Sequence, residues 1–227
     1  MSRWKLCRAL GDVEGASKAI RHANTGIDCW YVAVDCLARH DSCADAERAF
    51  DAAMSGRKAN DKYLRIAKAY IVHDLPNGAQ RVRELVGGLT NDKDAIFRML
   101  SLFGLCLAGD LNDVQRLAVE NHRQIDQGSE RFANEACLDY LANPSPAEEE
   151  RLLTKATQNG YAAINAHFAI ALARLAARDR AGALKKLEES TSRTAIGNLS
   201  FEMARVFLLR MNANPAWPGW LQGKAAD

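Results

Sequence analysis

Residues 27–60 read IDCWYVAVDCLARHDSCADAERAFDAAMSGRKAN, and they hold two helical halves joined by a short break. Trp30 lies on the first half. The break carries Ser42-Cys43-Ala44-Asp45, a helix start in which a serine precedes an acid three residues later. The second half carries Ala46, Phe50 and Ala53. A small residue on the second helix lets the two backbones approach, and a large one four residues later fills the gap between them. The stretch therefore reads as helix A, tight turn, helix B.

The same pattern recurs along the chain. Comparable sites fall at Ala16, Ala46, Ala79, Val114, Glu149 and Ala183, with intervals of 30, 33, 35, 35 and 34 residues. Four residues after each stand Ile20, Phe50, Arg83, Ala118, Leu153 and Leu187. Trp30 and Tyr63 are 33 apart, upstream of the second and third sites. Glu149, Arg83 and Ala118 break the small-then-large rule, so the period is approximate. A period near 34 residues in an all-helical chain points to stacked helix pairs.

On these residues the chain resembles the tetratricopeptide-repeat family. In the unit from Ile27, Trp30, Ala46, Phe50 and Ala53 resemble the family's aromatic and small positions. The next unit matches at Tyr63, Ala67, Tyr70 and Ala79 and departs at Arg83. Later units keep Gly109, then Cys137, Tyr140, Leu153 and Ala156, then Ala171, Ala183 and Leu187. The resemblance implies an all-α fold: a right-handed α-solenoid of antiparallel helix hairpins (TPR-like), with about six repeats plus a C-terminal capping helix. It would span residues 1–211, followed by a Pro/Trp-containing tail over 212–227. A pentatricopeptide-type array is the alternative.

Local signals agree with helices. Val, Ile and Thr never alternate over a long run. Phe168, Ala171, Leu172 and Leu175 share one helix face, as do Phe97, Leu100, Phe103, Gly104 and Leu107. Ser145-Pro146-Ala147-Glu148 is a capping box with a proline start. Asn159-Gly160 fits a helix C-terminus, and Gly109-Asp110 and Gly11-Asp12 fit tight turns. Gly11 leaves only a clipped helix A in the first unit. Leu199 to Met211 reads as a lone helix able to close the open end of the stack. Trp217 and Trp220 sit among prolines, either folded back as a seal or extended as a partner-binding arm.

Composition narrows the class. The chain has 227 residues, 48% hydrophobic and 26% charged, which suits a packed globular protein. Thirty basic against 28 acidic residues leave +2, removing the usual electrostatic reason to propose nucleic acid. No apolar segment follows the start, and Ala95–Ala108, interrupted by Arg98, is too short to span a membrane. The six cysteines lie mostly in apolar-periodic segments, as buried thiols of a reducing compartment would. The expectation is a cytoplasmic protein.

No nucleotide-binding, nucleophile-elbow or zinc-protease motif is present. The Glu148-Glu149-Glu150 run and Glu188-Glu189 read as solvated acids. Cys29, Cys36, His40 and Cys43 are the one cluster worth weighing for a metal, and they read as packed thiols because their spacing is no zinc pattern. His22, His73, His122 and His167 read as surface or half-buried side chains. The expectation is therefore no catalysis, no cofactor and no metal.

In the family it resembles, helix A residues line a concave groove. The resemblance places Tyr31, Asp35, Arg39, Arg65, Lys68, Met99, Phe103, Asn134, Leu138, Phe168 and Leu172 there, while Met99, Phe103, Leu138 and Leu172 read equally well as core of a tighter stack. It implies a protein or peptide partner, with an apolar anchor and some acidic residues. The family's two-carboxylate clamp is not matched, since Lys68 stands alone and Asp35 replaces the expected Asn. The function expected is a non-catalytic adaptor. The alternative is a regulatory or sensor segment of a larger signalling or transcription-regulating protein. An RNA-binding array is disfavoured, because Arg39, Arg65, Lys68 and Arg131 are too few for a basic stripe.

Overall fold

A computed structural model of the chain describes Cys7, Leu10 and residues 12–21, 28–56, 61–122, 132–157, 160–192 and 195–221. Among the described residues there are twelve α-helices and no strand. In chain order they are α1 (Val13–Arg21), α2 (Asp28–Arg39), α3 (Cys43–Met54), α4 (Lys62–Val72), α5 (Gly78–Val86) and α6 (Ala95–Leu107). There follow α7 (Leu111–His122), α8 (Phe132–Ala142), α9 (Pro146–Ala156), α10 (Gly160–Ala176), α11 (Arg180–Thr191) and α12 (Leu199–Ala213). No helix is long and apolar enough to cross a membrane.

Side-chain caps explain most of the starts. Ser42 accepts from the Asp45 amide at 3.0 Å, and Ser145 accepts from Glu148 at 3.3 Å with Pro146 opening α9. Asp61, Asp94, Asp179 and Asn198 do the same for α4, α6, α11 and α12. The Asn159-Gly160 stop does not hold at Gly160, which is the first residue of α10. Asn159 and Gly11 lie outside the described residues. Gly109 has φ +71° and turns the chain after α6, a conformation that costs a side-chain-bearing residue.

Consecutive helices pack as hairpins from α2–α3 to α11–α12, except that each also serves its neighbours. α2 packs on α4, α4 on α6, α6 on α10, α10 on α12, and α12 on α2. These five helices form a closed circuit. α3, α5, α9 and α11 flank it, while α7 and α8 pair and α8 packs on both α6 and α10. The lone C-terminal helix is thus present, but it does more than cover the last pair. It returns to the first full hairpin and joins the two ends.

The inside of the circuit is filled by aromatic side chains. Tyr70, Phe103, Phe168 and Phe207 are each the ninth residue of their helix, so they arrive at one level. Phe168 lies 5.7 Å from Phe103 and 6.2 Å from Phe207, ring centre to ring centre. Tyr70 lies 6.4 Å from Phe207 and 4.6 Å from Trp30. Each of these side chains is completely buried. Aromatic pairs at such distances add to the gain from burial itself.

The α2–α12 seam is parallel and held by polar contacts at both ends. Near its start, the Trp30 indole donates to Leu199 O at 3.0 Å and the Tyr31 hydroxyl donates to Gly197 O at 2.7 Å. Near its end, the Arg210 guanidinium donates to Leu37 O at 2.9 and 3.1 Å, to His40 O and to Asp41 O at 3.2 Å. Those are carbonyls that a helix C-terminus leaves without intrahelical partners. Arg210→Ala is expected to cost about 2 kcal/mol in urea unfolding, because several charge-assisted bonds to part-buried carbonyls are lost together. Arg210→Lys should recover less than half of that, since one ammonium cannot reproduce the fork.

Beyond α12 the tail folds back across one end of the circuit. Trp217 is 4% exposed and lies 5.1 Å from Phe207 and 5.4 Å from His73, ring centre to ring centre. Of the two readings of the tail, its described part takes the folded-back one.

Candidate functional site

α2 and α3 are joined at a tight break, and their outer faces leave a cleft of about 440 Å³. Val32, Asp35, Cys36, Arg39 and His40 line it from α2 and its end, and Ala49, Ala52 and Ala53 from α3. The three alanines are spaced three and four apart, so they share one face of α3. Ala52 and Ala53 are exposed, while Val32 and Cys36 are buried at the floor. The Asp35 carboxylate and the Arg39 guanidinium meet across one helical turn at 3.0 Å on the rim. Two of the residues assigned to the groove therefore line this cleft. The alanine face was missed; its signal was small residues at helical spacing that no apolar partner in sequence explains.

The other assigned residues are placed differently. Met99, Phe103, Leu138, Phe168 and Leu172 are 0–2% exposed and belong to the core. Tyr31 is buried in the α2–α12 seam, and burial, with Glu202 and Asp28 nearby, pushes its hydroxyl up to about 12. Asn134 falls on α8, and its side chain lies outside what the structure describes. The fold brings Phe103 and Phe168 together, but as packing. The concave face expected from the resemblance is filled because the circuit closes, and an aromatic from each of several helices meets at its centre.

The basic groove residues Arg65 and Lys68 are occupied from within. Arg65 donates to Leu85 O at 2.8 Å, tying the start of α4 to the end of α5. The Lys68 ammonium contacts both Asp51 carboxylate oxygens, at 2.8 and 2.9 Å, and lies 3.4 Å from Glu47. Glu47 in turn is gripped by Arg81, whose guanidinium holds the carboxyl below the usual carboxylate range. These charges join α3, α4 and α5 and leave little to attract an acidic peptide.

A second ion network corrects the reading of two acids as solvated. Glu149 on α9 meets Arg174 of α10 at 2.8 Å and Lys186 of α11 at 3.0 Å. Lys186 also meets Glu189 at 2.8 Å. Burial pushes the Glu149 carboxyl up, but the hydrogen bonds from Arg174 and Lys186 outweigh it and hold it below its ordinary value. The network is a three-helix tie.

The thiols are packed. Cys29, Cys36, Cys43, Cys106 and Cys137 are buried and Cys7 partly so, and none forms a disulfide. Burial pushes Cys43 up to about 11 and Cys106 and Cys137 to about 12, far from reactive thiolates. Among the described residues no three His, Cys, Asp or Glu side chains gather as metal ligands. His73 departs from the half-buried reading: it is 1% exposed.

No model of a known protein family matches the chain, and neither a curated protein nor a solved structure is significantly similar to it.

Proposed function

We propose that this chain is a non-catalytic helical-repeat module, built on the tetratricopeptide-like plan, that binds a protein partner on its outside. The observation that supports this is the cleft between α2 and α3, with Val32 and Cys36 at its floor and three alanines along α3. Its occupant in this reading is an amphipathic helix of the partner, with its apolar face laid on Val32, Cys36, Ala49, Ala52 and Ala53. Helix-on-helix packing is the rule throughout the fold, and the small, apolar lining of this cleft suits the same kind of element. Small side chains let a helix axis come close, and the Asp35–Arg39 pair fixes orientation at the rim.

Affinity capture with the wild type, Ala53→Arg and Leu209→Arg tests the assignment. Leu209 is exposed on α12 and does not line this cleft; it lines a neighbouring one that shares only His40 with it. A partner should weaken at least tenfold with Ala53→Arg and stay unchanged with Leu209→Arg. Equal partner sets from all three would sink the cleft. Phe103→Glu is unsuitable as a probe, because it buries a charge in the core and reports unfolding.

A further inference from the structure

The tail over 214–221 is held in a manner unlike the core. Arg180 donates to Met211 O at 2.7 Å, to Asn214 O at 3.4 Å and to Trp217 O at 3.2 Å. Asp74, in the α4–α5 turn, accepts from the Gly219 amide at 2.6 Å. These grips read backbone, and they come from residues far away in sequence. Trp217 is inserted between His73 and Phe207 and Pro218 is also buried, while Asn214, Pro215, Ala216 and Gly219 are exposed. Trp220 lies over Gly109, where a Cβ would stand 3.2 Å from the indole. The tail itself makes a turn closed by Trp217 N–H to Asn214 O at 3.0 Å and a 3₁₀ turn over Gly219–Leu221. An aromatic slot and side chains aimed at carbonyl and amide groups are the parts of a site for a peptide turn.

The fit of the tail is incomplete. The His73 Nε2 atom and the Trp220 Nε1 atom are both buried with no hydrogen-bond partner. Leaving a buried polar group unsatisfied weakens the contact that covers it. His73 Nδ1 is committed to Tyr70 O at 2.9 Å, so the other nitrogen is the acceptor of the neutral side chain.

We propose that the surface under residues 214–221 is a recognition site for a turn-forming partner segment bearing a proline-flanked tryptophan, and that the chain's own tail occupies it as an intramolecular competitor. The inference rests on the module being a protein binder, and it adds a second site with a defined ligand chemistry. A segment that also donates a hydrogen bond to His73 is favoured over the tail. Tethering gives the tail an effective concentration in the millimolar range, so displacement requires a stronger ligand or a weakened tail.

The test uses the full chain and a fluorescently labelled peptide of residues 212–221, NANPAWPGWL. Trp217→Ala removes the tail's anchor and leaves the seat intact. Fluorescence anisotropy should show the peptide binding the Trp217→Ala chain at least tenfold more tightly than the wild type. Adding Asp74→Ala should weaken that binding at least fivefold. Equal binding to wild type and Trp217→Ala overturns the proposal, as does no binding to a variant with wild-type helicity by circular dichroism. Should Trp217→Ala fail to fold, hydrogen exchange on the wild type decides. The Gly219 and Leu221 amides must open at least a hundredfold more often than those in the middle of α12, and equal protection makes the tail plain core. Neither result touches the α3 cleft, whose own test is Ala53→Arg.

Discussion

Phe207→Ala is expected to lower the stability of the fold by about 4 kcal/mol. Phe207 is completely buried and is the one side chain that touches Tyr70, His73, Phe168 and Trp217 together. Its loss leaves a void where α4, α10, α12 and the tail converge. Rigid helices on several sides cannot collapse into that void, so the cavity cost adds to the lost transfer energy. For a chain of this size the melting temperature should fall by roughly 8–16 °C. Leu209→Ala, two residues on and 55% exposed, should stay within about 0.5 kcal/mol. If Phe207→Ala unfolds within about 1 kcal/mol of the wild type in urea, the aromatic centre is not packed as described.

Acid should destabilise the fold through His73. Burial depresses its pKa from 6.5 to about 4, the backbone bond to Tyr70 works against the shift, and the Arg210 charge adds to it. Its neighbours are Tyr70 on α4, Phe207 and Arg210 on α12, and Trp217 in the tail, with Asp74 next in sequence. Below pH 6.5 the unfolded chain takes up a proton that the folded chain refuses until about pH 4. Stability is therefore full above that window and falls through it as pH drops. The total loss is about 3 kcal/mol, at about 1.4 kcal/mol per pKa unit. His73→Gln should flatten the pH dependence of the urea midpoint between pH 6.5 and 4.5. A slope as steep in the variant as in the wild type would place the titrating group elsewhere.

The helical class was legible because Ala and Leu recur at helix spacing and because capping signals such as Ser145-Pro146 punctuate the chain. The start of the C-terminal helix at Leu199 was legible in its apolar spacing, while the helix runs two residues past the expected Met211, to Ala213. Closure was not. It depends on contacts such as Trp30 with Leu199 and Arg210 with Leu37, which join positions about 170 residues apart. A periodic pattern reports which face of a helix is apolar, but says nothing about what that face meets. Met99, Phe103, Leu138 and Leu172 would look alike in an open groove and in a filled centre. The inner charges were also ambiguous, since Lys68 gives no sign that Asp51 lies opposite it until α3 and α4 are packed. Asp35 and Arg39 reached a cleft because they lie on the face of α2 that meets the small residues of α3.

A linear array of helix pairs can gain or lose a unit at its end with little harm to the rest, and it frays from its termini. The α2–α12 seam takes that freedom away. As in a barrel, where strand number and tilt must agree before the first strand meets the last, only one number of hairpins lets this circuit close. Deleting one hairpin, for instance α4–α5, would not give a shorter version of the same molecule. It would strand Trp30, Tyr31 and Arg210 without their partners. Copy number in this protein is therefore a structural constant, unlike the adjustable length of an open array.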